Sequence, residues 1–215
     1  MSIGITYTLE DRVLLITDSR RIYNFDSDNE RIDDDAEKIH NISPQIAAIG
    51  VGIEQGIEIA LNTLKVSIDE NSSIDRISNA LMASIEVGLK GLEYLVTSDI
   101  DINTSYFKVG LLIGGVAENR LFTMGLTRSV KSKNKPVIRV GKYEGLTIGM
   151  DNLKISDQFT LNVDNLFAAH KHSNGQDNQV FLTEKIIKST ETIIKEVAKE
   201  NEMISDKITH TIIYK

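Results

Sequence analysis

Residues 3–21 read IGITYTLEDRVLLITDSRR, and this stretch decides the fold. Two β-type runs, IGITYTL and RVLLITDS, are separated only by Glu10 and Asp11, so the segment reads as a hairpin with a short polar turn. The second run ends on the acid Asp18. Because the chain opens directly on a strand pattern, its first residues, Ser2 among them, are expected to be part of the fold.

Further along, an acidic stretch from Asp26 to Asp35 leads into AEKIHNI (36–42), and QIAAIGVG (45–52) reads as a buried strand ending in glycines. At Ile53 the period changes from two to 3.6: Ile53, Ile57, Ala60, Leu61, Leu64 and Ile68 share one helix face. A second helix follows, with Ser72 and Asp75 as a capping box and Ile74, Ile77, Leu81, Ile85, Leu89 and Leu92 at helical spacing. Strand patterns return in YFKVGLLIGGV, NRLFTMGL, PVIRV and LTIGM. A helix is expected from Asp151 and Asn152, and a long one from Thr183 to Asn201 burying Ile186, Ile187, Ile193, Ile194 and Val197, before a last strand, KITHTIIY. The order of strands, two helices, strands, two helices and strand implies an α+β fold: a four-layer αββα sandwich of two antiparallel sheets flanked by helix pairs. We expect a single domain over 1–215. The polar segment from His170 to Asn178 is the least ordered in pattern and marks no boundary.

Composition narrows the function classes. With 215 residues, 41% hydrophobic and 26% charged, the chain can bury one substantial core. A net charge of -7 with mixed signs lacks the basic footprint of a nucleic-acid partner. The absence of cysteine removes disulfides, thiolate metal sites and a Cys nucleophile. No signal-peptide pattern and no apolar run near the ~20 residues of a membrane span occurs, so no membrane partner and a cytoplasmic location are expected.

The order ITDSRR, AEKIHNI, AAIGVGIEQG entering a helix, then FKVGLLIGGV, NRLFTMG and LTIGM resembles proteasome β-type subunits and their bacterial relatives, the proteasome-like N-terminal-nucleophile hydrolases, over nearly the whole chain. In that family the first residue of the mature chain is the nucleophile, an acid ends the second strand and a lysine starts a later strand. Ser2, Asp18 and Lys38 match these positions. The spacing from Ser2 to Asp18 equals the family's, and Lys38 falls four residues later, the acidic stretch supplying the insertion. The absence of a helix pattern ahead of the first strand resembles β-type rather than non-catalytic α-type subunits.

What the resemblance implies is amide hydrolysis of a peptide or protein substrate through an acyl-enzyme on Ser2, once Met1 is removed. The freed α-amino group, with an ordinary pKa of about 7.7–8.0, can serve as the base for the Ser2 hydroxyl. An ammonium at Lys38 would lower the amine's pKa, with Asp18 holding Lys38 charged and oriented. Gly50 is the expected oxyanion donor, since a residue without a Cβ lets the backbone approach substrate closely just before a helix; Gly52 fits nearly as well. No cofactor is implied. Assembly into a homo-oligomer follows from the resemblance, because family members enclose their sites within rings.

Some positions depart from the family pattern: Met150 stands where active subunits keep a serine, and Asn201 and Ile204 fall roughly where an Asp and a Ser support the nucleophile's amine, with Ser205 and Asp206 close by. These leave a second reading open, a catalytically inactive proteasome-fold scaffold or binding protein that self-associates. Asp26, Asp28, Glu30 and Glu37 have the spacing of a calcium loop, but Arg31 occupies the place of its obligatory glycine, so the run reads as a solvated insertion. The four histidines are scattered, and no metal is assigned.

Overall fold

The computed structural model describes residues 2–23, 31–95, 108–129, 131–132, 134–149, 165 and 179–215. Six strands precede any helix: β1 (Gly4–Thr8), β2 (Arg12–Asp18), β3 (Arg21–Tyr23), β4 (Arg31–Asp33), β5 (Ile39–Ser43) and β6 (Ile46–Gly52). Helices α1 (Glu54–Ser67) and α2 (Ile74–Leu95) follow, then β7 (Lys108–Ala117), β8 (Arg120–Ser129), β9 (Val137–Val140) and β10 (Gly145–Ile148). Helix α3 (Gln179–Glu200) and β11 (Ile208–Tyr214) complete the elements. The helix expected from Asp151 and the segment His170–Asn178 lie outside the described residues.

Two large antiparallel sheets form, one ordered β10-β1-β2-β11 and the other β5-β6-β7-β8-β9, beside the two-stranded β3-β4 ladder. Three buried clusters separate four layers. On the outer face of the larger sheet, Ile46, Ala48, Leu111, Ile113, Phe122 and Met124 meet the apolar stripes of α1 and α2. On the outer face of the smaller sheet, Ile3, Ile5, Leu14 and Ile16 meet Leu182, Ile186, Ile193, Ile194 and Val197 of α3. Between the sheets lie Val13, Leu15, Ala47, Ile49, Val51, Leu112 and Ile148. The period-two alternation of each strand therefore splits its apolar residues between two cores, which is why these strands read as continuous hydrophobic runs. The fold is the αββα sandwich expected from the element order. Among the described residues no helix is long and apolar enough to cross a membrane.

One local expectation needs correction. The cap of α2 is Ser73, whose Oγ accepts the Arg76 N–H at 3.2 Å. Ser72 instead accepts the Asp69 N–H at 3.0 Å, closing the turn before the helix. One residue of register separates the two roles, and neighbouring serines give the sequence no means to choose. The acidic insertion is also partly folded: β3 and β4 pair as a two-stranded antiparallel ladder with Ile22 opposite Ile32.

Candidate active site

Ser2 lies two residues ahead of β1, Asp18 ends β2 and Lys38 directly precedes β5. The β1–β2 register pairs Gly4 with Thr17, which places Ser2 beside the end of β2. The Asp18 carboxylate takes up that geometry: its Oδ1 accepts the Ile3 N–H at 2.9 Å, so the acid fixes the backbone next to Ser2. Thr17 adds a second tie, donating from Oγ1 to the Ile3 carbonyl at 2.7 Å. Lys38 is delivered across the insertion by bonds at its base. Ser19 Oγ donates to the Asp34 carbonyl at 2.6 Å, Ala36 N–H donates to the Ser19 carbonyl at 3.0 Å, and Arg20 Nε pairs with Asp34 at 2.6 Å. These bonds hold Asp34 and Ala36, just ahead of Lys38, against the end of β2.

The result is a short chain of contacts. Lys38 Nζ lies 3.1 Å from Ser2 Oγ and 2.9 Å from Asp18 Oδ2. Asp18 is fully buried and the Lys38 side chain is 5% exposed, so the ion pair is stripped of water. Burial pushes the Lys38 ammonium below the ordinary lysine pKa, and the charge and hydrogen bond of Asp18 oppose that loss. Asp18 is further satisfied by the Arg20 N–H at 3.2 Å and the Ser205 N–H at 3.5 Å. Its Oδ2 holds the Lys38 ammonium next to the serine hydroxyl.

Gly50 belongs to β6, where Ile49 pairs with Ile39 and so sets Gly50 across from Lys38. Beyond the strand end, Ile53 N–H donates to the Lys108 carbonyl, so the odd residues of β6 bond β7. Alternation then turns the N–H of Gly50 toward the side on which Lys38 precedes β5. A Cβ at Gly50 would meet Ile57 Cγ2 at 2.3 Å, because α1 packs directly on that strand. Gly52 has φ +118, and a Cβ there would lie 2.0 Å from the Lys108 carbonyl oxygen.

Gly149, part of the LTIGM motif, lies against Ser2 itself. Its φ is +84, and a Cβ on it would lie 1.8 Å from the Ser2 carbonyl oxygen. Only glycine permits the chain leaving β10 to pass this close to the Ser2 carbonyl. The signal available in the sequence was the Ile-Gly pair after an apolar run, which does not reveal what the glycine approaches.

On the other side of Asp18 stands the turn between α3 and β11. Ile204 is buried against Ile3 and Ile5 in the cluster under α3. Asn201 accepts the Met203 N–H at 3.0 Å through its side chain and so closes its own turn. Ser205 contributes its backbone N–H to Asp18, while its Oγ accepts from Lys207 N–H at 3.1 Å. Asp206 acts at longer range, through its charge on Arg20. Met150 and Met1 lie outside the described residues. So do Asp26, Asp28 and Glu30, and among the described residues no group of three or more acids or histidines converges as a metal site would require.

The chain shares its overall fold with a solved structure. Among solved structures, the chain is similar to the crystal structure of eukaryotic HslV from Trypanosoma brucei, with a TM-score of 0.52, 99% of each chain covered and 10% sequence identity. Neither a family model nor a curated protein matches the sequence. At that identity the likeness concerns the path of the chain, and the chemistry has to be argued from the residues above.

Proposed function

We propose that the protein is a proteasome-like N-terminal serine peptidase that cleaves peptide amide bonds through an acyl-enzyme on Ser2. The observation that carries this reading is the contact of Lys38 Nζ with both Ser2 Oγ and the buried Asp18 carboxylate. Removal of Met1 frees the Ser2 amine. That amine accepts the Oγ proton as Oγ attacks the substrate carbonyl, and Lys38 donates to the developing alkoxide. The oxyanion faces the N–H of Gly50, or of Gly52 one step along the strand. The Ser2 ammonium then protonates the departing amine, leaving an ester. Water attacks the ester, gives its proton to the same amine, and releases the acid and the free serine.

The test is direct. Electrophilic inhibitors such as a β-lactone are expected to modify Ser2 in Met1-free protein, and Ser2→Ala should remove peptidase activity by on the order of 10³-fold or more. Protein from the native host that keeps Met1 in full, by intact mass, would sink the peptidase reading, because an acylated nitrogen is not a base. A homo-oligomer belongs to the same proposal, and light scattering that shows only monomer would remove that part.

A second reading, an inactive self-associating scaffold of the same fold, is favoured by the α3–β11 turn. Ile204 is buried in the core and brings no hydrogen-bonding group to the Ser2 amine. On this reading Ser2→Ala leaves both assembly and every measurable function unchanged.

A further inference from the structure

Arg21 opens β3 on the side of Lys38 away from the α3–β11 turn. Its Nε lies 3.0 Å from Glu54 Oε2, and its Nη2 donates to the Glu37 carbonyl at 3.1 Å. The two acceptors belong to different parts of the molecule. Glu54 is the first residue of α1, directly after the glycine-ended strand, and Glu37 is bonded covalently to Lys38. One guanidinium therefore ties the start of α1 to the backbone that delivers the lysine. The two side chains are largely shielded, at 20% and 24% exposure, where an ion pair has more effect than on an open surface.

We propose that Arg21 and Glu54 are a positioning pair for Lys38, holding its backbone against α1 and balancing the charge around its ammonium. This rests on the reading of Lys38 as the group that serves Ser2. Charged groups reach Lys38 from each neighbouring element: Asp18 from β2, Arg21 from β3, Glu54 from α1, and Asp34 from the turn that precedes it. Arg21 disfavours the ammonium and Glu54 favours it, so the pair is close to neutral at Lys38 only while both are charged. Burial pushes the Glu54 carboxyl up, and Arg21 is the leading opposing influence. Loss of either partner leaves the other as an unbalanced charge beside the lysine.

Opposite signs distinguish this role from simple loosening of the structure. In Arg21→Gln a cation is removed, and the titration midpoint of Lys38, followed by NMR of isotope-labelled lysine, should rise by about half a pH unit or more. In Glu54→Gln an anion is removed and the midpoint should fall by a similar amount, with Arg21→Gln/Glu54→Gln returning toward wild type. Absent shifts, or shifts of the same sign in both single variants, overturn the proposal. The titration needs neither Met1 removal nor turnover, so opposite shifts in a protein without peptidase activity would retain the pair and discard the peptidase reading. Normal peptidase activity with absent shifts would do the reverse.

Discussion

Asp18 is approached from two sides that differ in kind. On one side the first hairpin and the start of β5 bring Ser2, Lys38 and Arg20 into a charged, hydrogen-bonded cluster. On the other, the end of β10 and the α3–β11 turn present a glycine backbone, one backbone N–H and the apolar Ile204. The charged side can activate a hydroxyl. The apolar side can only hold the backbone of residues 2 and 3 in place, which makes chemistry and support separable by mutation.

The largest effect should come from splitting the ion pair. Asp18→Asn or Lys38→Met alone leaves one buried charge without its partner and should cost about 3–5 kcal/mol in urea unfolding. The double variant Asp18→Asn/Lys38→Met should recover most of that loss while remaining inactive. Singles that cost under about 1 kcal/mol would break the contrast between the sides. Next, Ile204→Ala should lower stability by about 2–4 kcal/mol through its cavity, with the pH dependence of peptidase activity unmoved. A shifted pH profile would show that the apolar side also tunes the amine.

Gly149→Ala should cost about 1–3 kcal/mol, from an alanine at φ +84 and a methyl forced against the Ser2 carbonyl. Peptidase activity should fall further than stability does, since Ser2 itself must move; equal losses would reduce Gly149 to a folding role. The smallest effect is in pH. Burial sets the folded-state pKa of Lys38 below its ordinary value, so between the two the unfolded chain binds more protons and the contribution of Lys38 to stability rises with pH. Urea midpoints from about pH 8 to pH 10 should therefore favour wild type increasingly over Asp18→Asn/Lys38→Met. The exposed lysines Lys195 and Lys207, whose pKa values are raised by Glu191 and Asp35, are common to both proteins and cancel in the difference.

Much of this was legible in residue order. Continuous apolar runs marked β1, β2 and β6, and the 3.6 period of Ile74, Ile77, Leu81, Ile85, Leu89 and Leu92 marked α2, because a strand covered on both faces is apolar throughout and a helix is buried along one stripe. The meeting of Ser2, Asp18 and Lys38 was legible through motif order. Less legible were contacts between segments distant in sequence: Arg21 with Glu54, the Ser205 N–H with Asp18, and Gly149 with Ser2. Each involves a residue type common on surfaces or in turns, and its partner is chosen only when the sheets stack.

The sequence by itself determined a two-sheet α+β chain with a hydroxyl at position 2, an acid at a strand end and a lysine before a strand, since local periodicity and spacing suffice for those. The tertiary structure decided that the lysine reaches both other groups despite its displaced position, and that the opposite side of the acid is apolar. Burial is the physical reason. Only after the layers close around Asp18 and Lys38 does an ordinary surface ion pair become a desolvated one aimed at Ser2.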